Sequence, residues 1–331
     1  MSDLQPTVAS GAFVLSVDFE LHWGVRDHTP PEAPYAQALR AARGVVTETL
    51  RRFETRGVAC TWATVGFLFA RTRDEQEALS PASRPAYADA ALDPYAEPVG
   101  SGESEDPLHF AASLVDEIRA APRQELATHT FSHYYCGEPG ATPETFRADL
   151  RAAQKASGEP VRSIVFPRNQ SGDAFLAVLP DVGIDVYRGN PEGRLWRAED
   201  GAMGRQLPRR LARLADSYLP VRDDVVRWDS VLRPDGLADV RASQFLRPVS
   251  PRLAPLRPLH LRRLRQGMTA AARRKQVYHL WWHPHNFGTY PEESLRDLDA
   301  LLDHFERLRD RYGFASLTMA EVADAARRRN P

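Results

Sequence analysis

The sequence has few of the features that mark secreted, membrane-inserted and disulfide-rich proteins. Its two cysteines, Cys60 and Cys136, are too few for a disulfide framework among 331 residues, and they lack the spacing of a zinc site. No apolar run reaches the ~18 residues that a transmembrane helix needs. The first residues, MSDLQPTVASGAF, contain no basic stretch followed by an apolar one. We therefore expect a cytoplasmic protein with no secretory signal and no stable membrane insertion.

An excess of charge of one sign is also absent. Lys and Arg number 43 against 44 Asp and Glu, so the net charge is −1 and gives no general attraction to nucleic acid. Arginines are nonetheless concentrated between residues 195 and 275, and this group is Arg209, Arg210, Arg213, Arg262, Arg263, Arg265, Arg273 and Arg274. We favour solvated helix faces as the explanation. The alternative is recognition of a phosphate or pyrophosphate on the substrate, whose oxygens match arginine forks.

Apolar β-type runs alternate with amphipathic helical segments along most of the chain. The runs lie at 13–20, 58–65, 124–130, 163–168, 184–189, 277–285 and 314–318. Helices are predicted at about 35–56, at 108–120, from Thr142 to Gly158, after residue 290, and from 319. Residues 71–107 read as a surface excursion, and 195–275 as a long insertion that is helical in places. This order predicts an α/β fold with parallel strands, arranged as an incomplete barrel of seven strands.

Polar side chains occur where four of these apolar strands end. They are Asp18 and Glu20, then His129 and His133, then Arg168, and finally His283 and His285. The carboxyl ends of parallel strands in a barrel meet on one face, where catalytic residues of such folds lie. We therefore expect these side chains to form one site.

The spacing of His129 and His133 favours a metal ion. Four residues place two side chains on the same face of a helical turn, and two imidazoles with one carboxylate leave a zinc ion an open position for water. Asp18 and Glu20 point to the same side of a strand, so one can bind the ion while the other accepts a proton. Zinc fits best, although cobalt, nickel or iron would fit the same ligands. Histidines that merely cap a helix or fill the core are the alternative.

The segment WWHPHNFG brings a histidine to a hydrophobic wall. His283 could there act as a general acid, with His285 beside it and Asn286 at the rim of the site. Trp281 and Trp282 should point to opposite faces, so only one can stack on a substrate ring, and we assign that role to Trp282.

These motifs, in this order, resemble those of the polysaccharide deacetylase family, which has the NodB-homology domain. The matching segments are SVDFE (16–20), HTFSH (129–133), IVFPRNQ (164–170) and LWWHPHNFG (280–288), and the resemblance covers about residues 11–320. ELATHTFSHYYC and VFPRNQ are similar to a branch that occurs with cell-surface polysaccharide biosynthesis. The resemblance implies a distorted (β/α)7 barrel, and we expect a single domain over 1–331.

The resemblance also implies roles for individual residues. Asp18 corresponds to the catalytic base and His283 to the general acid, and Arg168 would orient Asp18. Glu20, His129 and His133 correspond to the metal ligands, since Phe19 occupies the position of the second aspartate that many members have. Tyr187 and Arg188, at the end of the fifth strand, are assigned to substrate binding.

The implied reaction is removal of an N-acetyl group from an amino sugar or glycan intermediate, possibly phosphate-linked, by water that a divalent metal activates. A cytoplasmic location would favour a biosynthetic intermediate over mature polymer. Two alternatives stay open. One is an allantoinase-like hydrolase of a small ureide or cyclic imide, and the other is a catalytically silent carbohydrate-binding relative.

Overall fold

A parallel β-sheet lies at the centre of the molecule. The computed structural model describes residues 10–30, 35–193, 207–219 and 222–329, without the side chains of 207–211. The strands are β1 (Ala12–Phe19), β2 (Cys60–Thr64), β3 (Gln124–Thr128), β4 (Ser163–Ile164), β5 (Val186–Tyr187), β6 (Ala238–Asp239), β7 (Gln244–Phe245), β8 (Val277–Trp282) and β9 (Ala315–Leu317). All their pairings are parallel. Their carboxyl ends therefore lie on the same side of the sheet.

The order of the strands curls the sheet into a distorted barrel. Eight strands follow the order β6-β5-β4-β3-β2-β1-β8-β7, and β9 pairs with β1 outside this path. The two end strands, β6 and β7, are joined by residues 240–243. This connection is hydrogen-bonded to both sides of the barrel. Ala242 N–H donates to the carbonyl of Gly189, after β5, at 2.9 Å, and Ser243 N–H donates to the carbonyl of His279, in β8, at 2.8 Å.

Helices surround the sheet and connect its strands. They are α1 (Tyr35–Arg56), α2 (Arg73–Leu79), α3 (Ala112–Ala120), α4 (Pro143–Ser157), α5 (Asp173–Leu176), α6 (Leu207–Asp216), α7 (Arg257–Arg274), α8 (Pro284–Phe287), α9 (Pro291–Tyr312) and α10 (Met319–Arg329). The Thr142 side chain caps the amino end of α4, and Gly158 ends that helix in the left-handed region at φ 69°. Among the residues that the structure describes, no helix is long and apolar enough to cross a membrane.

Strand alternation divides the buried residues of β1 between two sides. Phe13, Leu15, Val17 and Phe19 face the helix layer and join the largest hydrophobic cluster. Phe13 stacks on Phe305 of α9 with ring centroids 5.2 Å apart. The intervening residues face the interior of the barrel, beginning with small ones and ending at Asp18. The strand therefore packs as a hydrophobic core element and ends in the polar site.

The sequence predicts most of these elements, and the differences have physical causes. The helix at 35–56 is confirmed, and so are the helix from Thr142 and the fold class. The predicted strands at 163–168 and 184–189 shrink to two residues each. The sequence predicts an insertion over 195–275, whereas part of that segment belongs to the barrel, since it supplies β6, β7 and α7. Strands of two residues are too short to show an alternating pattern.

Candidate active site

The carboxylate of Glu20, directly after β1, lies between two pairs of histidines. Its Oε2 is 3.1 Å from Nε2 of His129 and 3.1 Å from Nε2 of His133, both in the loop after β3. Its Oε1 is 3.5 Å from Nε2 of His283 and 3.8 Å from Nε2 of His285, both after β8. Only His283 is appreciably exposed, with 21% of its side chain accessible. The structure thus brings together five of the six residues that the sequence places at the ends of β1, β3 and β8.

The segment from His129 to His133 is not a helical turn, and the prediction of one is wrong. Thr130 and His133 have φ of 64° and 58°, in the left-handed region, so the backbone between the two histidines turns irregularly. Asp149 of α4 holds this loop, since it accepts the N–H of Phe131 at 2.7 Å and the N–H of Ser132 at 3.2 Å. Burial raises the pKa of Asp149 to about 6, against the effect of these donors. Asp149 is a residue that sequence reasoning missed.

The histidine tautomers indicate that this cluster fits a cation. Nδ1 of His129 lies 2.8 Å from the carbonyl oxygen of Val165, which only accepts, so Nδ1 carries the proton. In the neutral form of this imidazole the lone pair on Nε2 faces the Glu20 carboxylate at 3.1 Å, an arrangement that a cation between the two atoms would stabilise. Glu20, His129 and His133 all offer ligand atoms within 4.8 Å of one another. Two imidazoles and a carboxylate match a catalytic divalent metal site.

The ionisation of these groups also suits a cation. Burial raises the pKa of Glu20, but His283, His129 and His133 outweigh it and hold that pKa well below its usual value. Burial lowers the pKa of His133 to about 4, so this imidazole is neutral near pH 7. Its Nδ1 has no hydrogen-bond partner among the described residues. An anionic Glu20 carboxylate and a neutral His133 imidazole are protonation states that metal ligands require.

Arg188, which follows β5, binds the carboxylate of Asp18 through both oxygens. Its Nη1 donates to Oδ1 at 2.6 Å and its Nη2 to Oδ2 at 2.8 Å, and both side chains are almost fully buried. The guanidinium also donates to Asn169 and lies 4.1 Å from the ring centroid of Trp281. Burial raises the pKa of Asp18, but Arg188 and the nearby histidines outweigh it and lower that pKa. Asp18 is therefore ionised at neutral pH.

His283 has a defined orientation beside these carboxylates. The side-chain amide of Asn286 lies 3.1 Å from Nδ1, so the ring is held with Nε2 towards the carboxylates. That Nε2 is 3.6 Å from Oδ2 of Asp18. Asn286 in turn accepts from the Tyr35 hydroxyl at 3.4 Å. His285 is buried, and burial lowers its pKa to about 3. Of the two histidines, His283 is the one that solvent and a substrate can reach.

The partner predicted for Arg168 is wrong, and Arg188 makes the contact with Asp18 that was predicted for Arg168. Arg168 donates to Glu138 at 3.0 Å and to Asp27, and its guanidinium lies over the ring of Tyr135. Arg188, assigned from the sequence to substrate binding, is instead the residue that orients Asp18. The alternation of side chains along β5 could have identified Arg188. Val186 faces the interior, and a side chain two residues later in an extended chain lies on the same side.

Two further substrate-binding assignments are wrong. Trp282 is 1% exposed and faces the helix layer, where it stacks on Phe287 with ring centroids 5.7 Å apart. Trp281 has the inward position and is partly exposed next to His283, with ring centroids 5.4 Å apart. Tyr187 is also buried away from the site, and its hydroxyl accepts from Arg233 at 3.3 Å.

The arginine-rich segment is only partly described. Arg209 and Arg210 have side chains outside the described residues. Arg263 of α7 is buried, and it pairs with the carboxylates of Asp224 and Asp216. This arginine has a structural role, which differs from both a solvated face and a phosphate contact.

Comparison with known proteins gives matches among solved structures only. No family model matches the sequence, and a comparison with curated proteins gives no match. A protein from Mycobacterium smegmatis that is described as a polysaccharide deacetylase is 14% identical to this chain, with a TM-score of 0.57. The match covers 98% of this chain and 93% of that one. A protein from Pseudomonas aeruginosa PAO1, also described as a polysaccharide deacetylase, is 9% identical, with a TM-score of 0.54. The match covers 97% of this chain and 91% of that one. The Puue allantoinase is 9% identical, with a TM-score of 0.52, and the match covers 95% of this chain and 88% of the allantoinase. At these identities the likeness defines the fold, which this chain shares with polysaccharide deacetylases and an allantoinase.

Proposed function

We propose that this protein is a metal-dependent hydrolase that removes an N-acetyl group from an amino sugar or glycan intermediate. The single observation that carries the proposal is the position of the Glu20 carboxylate between His129 and His133, beside an ionised Asp18 and a partly exposed His283. These groups comprise a ligand set, a proton acceptor and a proton donor in one cluster. Amide hydrolysis by acid–base chemistry at a metal centre requires those three functions together.

Glu20, His129 and His133 would hold the divalent ion, for which zinc is the best fit. When bound, such an ion polarises the amide carbonyl and lowers the pKa of water, which lets a carboxylate of low pKa serve as its base. Asp18 accepts one proton of the attacking water, whose oxygen forms the new bond to the carbonyl carbon. Protonated His283 gives the proton on its Nε2 to the amide nitrogen as the carbon–nitrogen bond breaks, and the imidazole is left neutral. The products are acetate and a free amine.

Arg188 supports this chemistry by keeping Asp18 ionised and fixing its plane. A bidentate arginine holds a carboxylate in one orientation, which a lysine cannot do. Asn286 plays the corresponding part for His283, because its amide contacts Nδ1 and holds the ring with Nε2 towards the carboxylates. The half-buried ring of Trp281 beside His283 supports a sugar-sized substrate, since a sugar face packs well on an indole.

The experiment measures turnover of N-acetylated amino sugars by zinc-loaded protein, with free, nucleotide-linked and oligomeric substrates in one panel. We expect kcat to fall by about 10²–10⁴ in Asp18→Asn and in His283→Ala, because each change removes a proton-transfer group. His28→Ala is the matched control, since that histidine has 62% of its side chain exposed and is not among the histidines that contact Glu20. Normal turnover in either site variant would refute the assignment of its role.

The same panel separates the two other functions that the sequence leaves open. Opening of a cyclic ureide or imide by metal-stripped protein would favour an allantoinase-like hydrolase, a function consistent with the fold shared with an allantoinase. Binding of sugars without turnover of any panel member would favour a silent carbohydrate-binding protein.

A further inference from the structure

A second cluster of metal-ligating side chains lies outside the candidate active site. It consists of His22 in the 3-10 turn Leu21–Gly24, and of Glu97 and His109 in the segment between α2 and α3. Nδ1 of His22 is 2.8 Å from Nε2 of His109. Oε1 of Glu97 is 3.8 Å from the first of these nitrogens and 3.7 Å from the second. Neither imidazole is exposed by more than 3%.

The outer nitrogens of both imidazoles are fixed as donors. Nε2 of His22 lies 2.8 Å from the carbonyl oxygen of Thr29, which can only accept. Nδ1 of His109 lies 2.8 Å from the carboxylate of Asp106. Histidines that bind metals regularly donate their second N–H to a carbonyl or a carboxylate in this way, which sets the tautomer and the orientation of the ring. Both of those arrangements are present here.

With both rings neutral, the inner nitrogens present lone pairs to each other. A neutral imidazole has one N–H, and in His22 and His109 that N–H is used on the outer side. Two lone pairs at 2.8 Å, together with a carboxylate oxygen, repel one another unless a positive charge lies among them. A proton shared by the two rings would provide one charge for one hydrogen bond. A divalent ion would satisfy all three donor atoms at once.

We propose that His22, Glu97 and His109 form a second, structural metal site for a divalent transition ion of the zinc type. The donor set is two imidazoles and one carboxylate, which zinc accepts with water as a fourth ligand. Glu97 has 15% of its side chain exposed, which gives the ion a route to the cluster. The other oxygen of Glu97 lies 3.9 Å from the guanidinium of Arg26, and that charge orients the carboxylate.

The function of this site is to fasten the turn after β1 against the segment between α2 and α3. Two further contacts cross the same junction: the N–H of His22 donates to the Leu108 carbonyl at 3.2 Å, and the indole N–H of Trp23 donates to the His109 carbonyl at 3.0 Å. The turn directly follows Glu20. An ion at this junction therefore holds the backbone from which Glu20 reaches its own histidines, without touching a substrate.

The test is the number of zinc ions bound per chain after loading and removal of excess metal, measured by mass spectrometry on the folded protein. We expect two ions in the wild type and in His28→Ala, one in His109→Ala, and one in His133→Ala. Glu97→Gln provides a second variant in case His109→Ala fails to fold, and it should also hold one firmly bound ion. X-ray absorption of zinc-loaded His133→Ala should show a coordination shell of nitrogen and oxygen that contains two imidazoles.

Each other outcome has a definite meaning. A single ion in the wild type that disappears in His133→Ala and persists in His109→Ala overturns the proposal, and a shared proton then occupies the cluster. A single ion that disappears in His109→Ala and persists in His133→Ala upholds it and instead removes the metal from the proposed function. The two proposals can thus fail separately.

Discussion

Replacement of Arg188 by methionine should destabilise the protein strongly, because it leaves the Asp18 carboxylate buried without its cation. The two side chains are 0% and 3% exposed, and they form two parallel hydrogen bonds of 2.6 and 2.8 Å. Methionine keeps a similar length and volume but has no charge and no donor. The change therefore tests the pairing rather than the packing of the barrel interior.

The expected loss in the free energy of unfolding is about 3–5 kcal/mol, the range for removal of one partner of a buried ion pair. Arg188→Lys should lose less, about 1.5–3 kcal/mol, because it keeps the charge and forfeits one of the two charged hydrogen bonds. Asp18→Asn combined with Arg188→Met should recover much of the loss, since no unpaired carboxylate remains. A coupling energy of at least about 2 kcal/mol should separate the double variant from the sum of the single ones.

The assay is urea unfolding of metal-free protein, with the two single variants and the double variant in one cycle. Arg168→Met with Asp18→Asn is the matched control, because Arg168 binds Asp27 and Glu138 instead. Those two changes should add without coupling. A coupling below about 0.5 kcal/mol for Arg188 and Asp18, or an equal coupling for Arg168, would refute the assignment of Arg188 as the partner of the base.

Three further predictions concern residues around the site. Burial raises the folded-state pKa of Asp149 from 3.8 to about 6, so its contribution to stability is present below pH 4 and is lost as the pH rises to 6. The free energy of unfolding of the wild type relative to Asp149→Asn should fall by about 3 kcal/mol between pH 4 and 7, whereas parallel curves would contradict this. Trp282→Ala should lower the free energy of unfolding, measured with a denaturant, by about 3–5 kcal/mol, because this aromatic ring is buried. Trp281→Ala should lower that free energy less but raise KM, and the reverse pattern would contradict the assigned orientations. Gly24→Ala places a Cβ 2.0 Å from Oε1 of Glu20, so zinc affinity by titration should fall at least about tenfold, and an unchanged Kd would count against Glu20 as a ligand.

The alternation of side chains along each strand, and the positions where the strands end, made much of the site predictable from the sequence. Asp18 lies near the end of β1 and Glu20 directly after it, and His283 and His285 follow β8, so their convergence follows from parallel strands alone. The same alternation places Trp281, two residues before His283, on the inner side. The assignment of Trp282 to the substrate therefore conflicts with the position of His283, and the sequence itself contained the evidence.

Other features depend on contacts that a sequence does not express. Arg168 and Asn169 have φ of 55° and 54°, so the backbone after β4 turns through the left-handed region and directs Arg168 towards Asp27. No periodic pattern in the sequence predicts that turn. Asp149 reaches the histidine loop from α4, and its role depends on how that helix packs. The cluster of His22, Glu97 and His109 joins residues 87 positions apart.

The most direct test of the central claim is the incorporation of oxygen-18 from labelled water into acetate. Zinc-loaded protein would be incubated with N-acetylated amino sugars in oxygen-18 water, and acetate would be analysed by mass spectrometry beside the Asp18→Asn variant. Hydrolysis predicts acetate that carries one solvent oxygen in amounts equal to the free amine formed, with production lowered by about 10²-fold or more in the variant. Absence of labelled acetate from every substrate that the protein binds, or equal production by Asp18→Asn, would contradict the account.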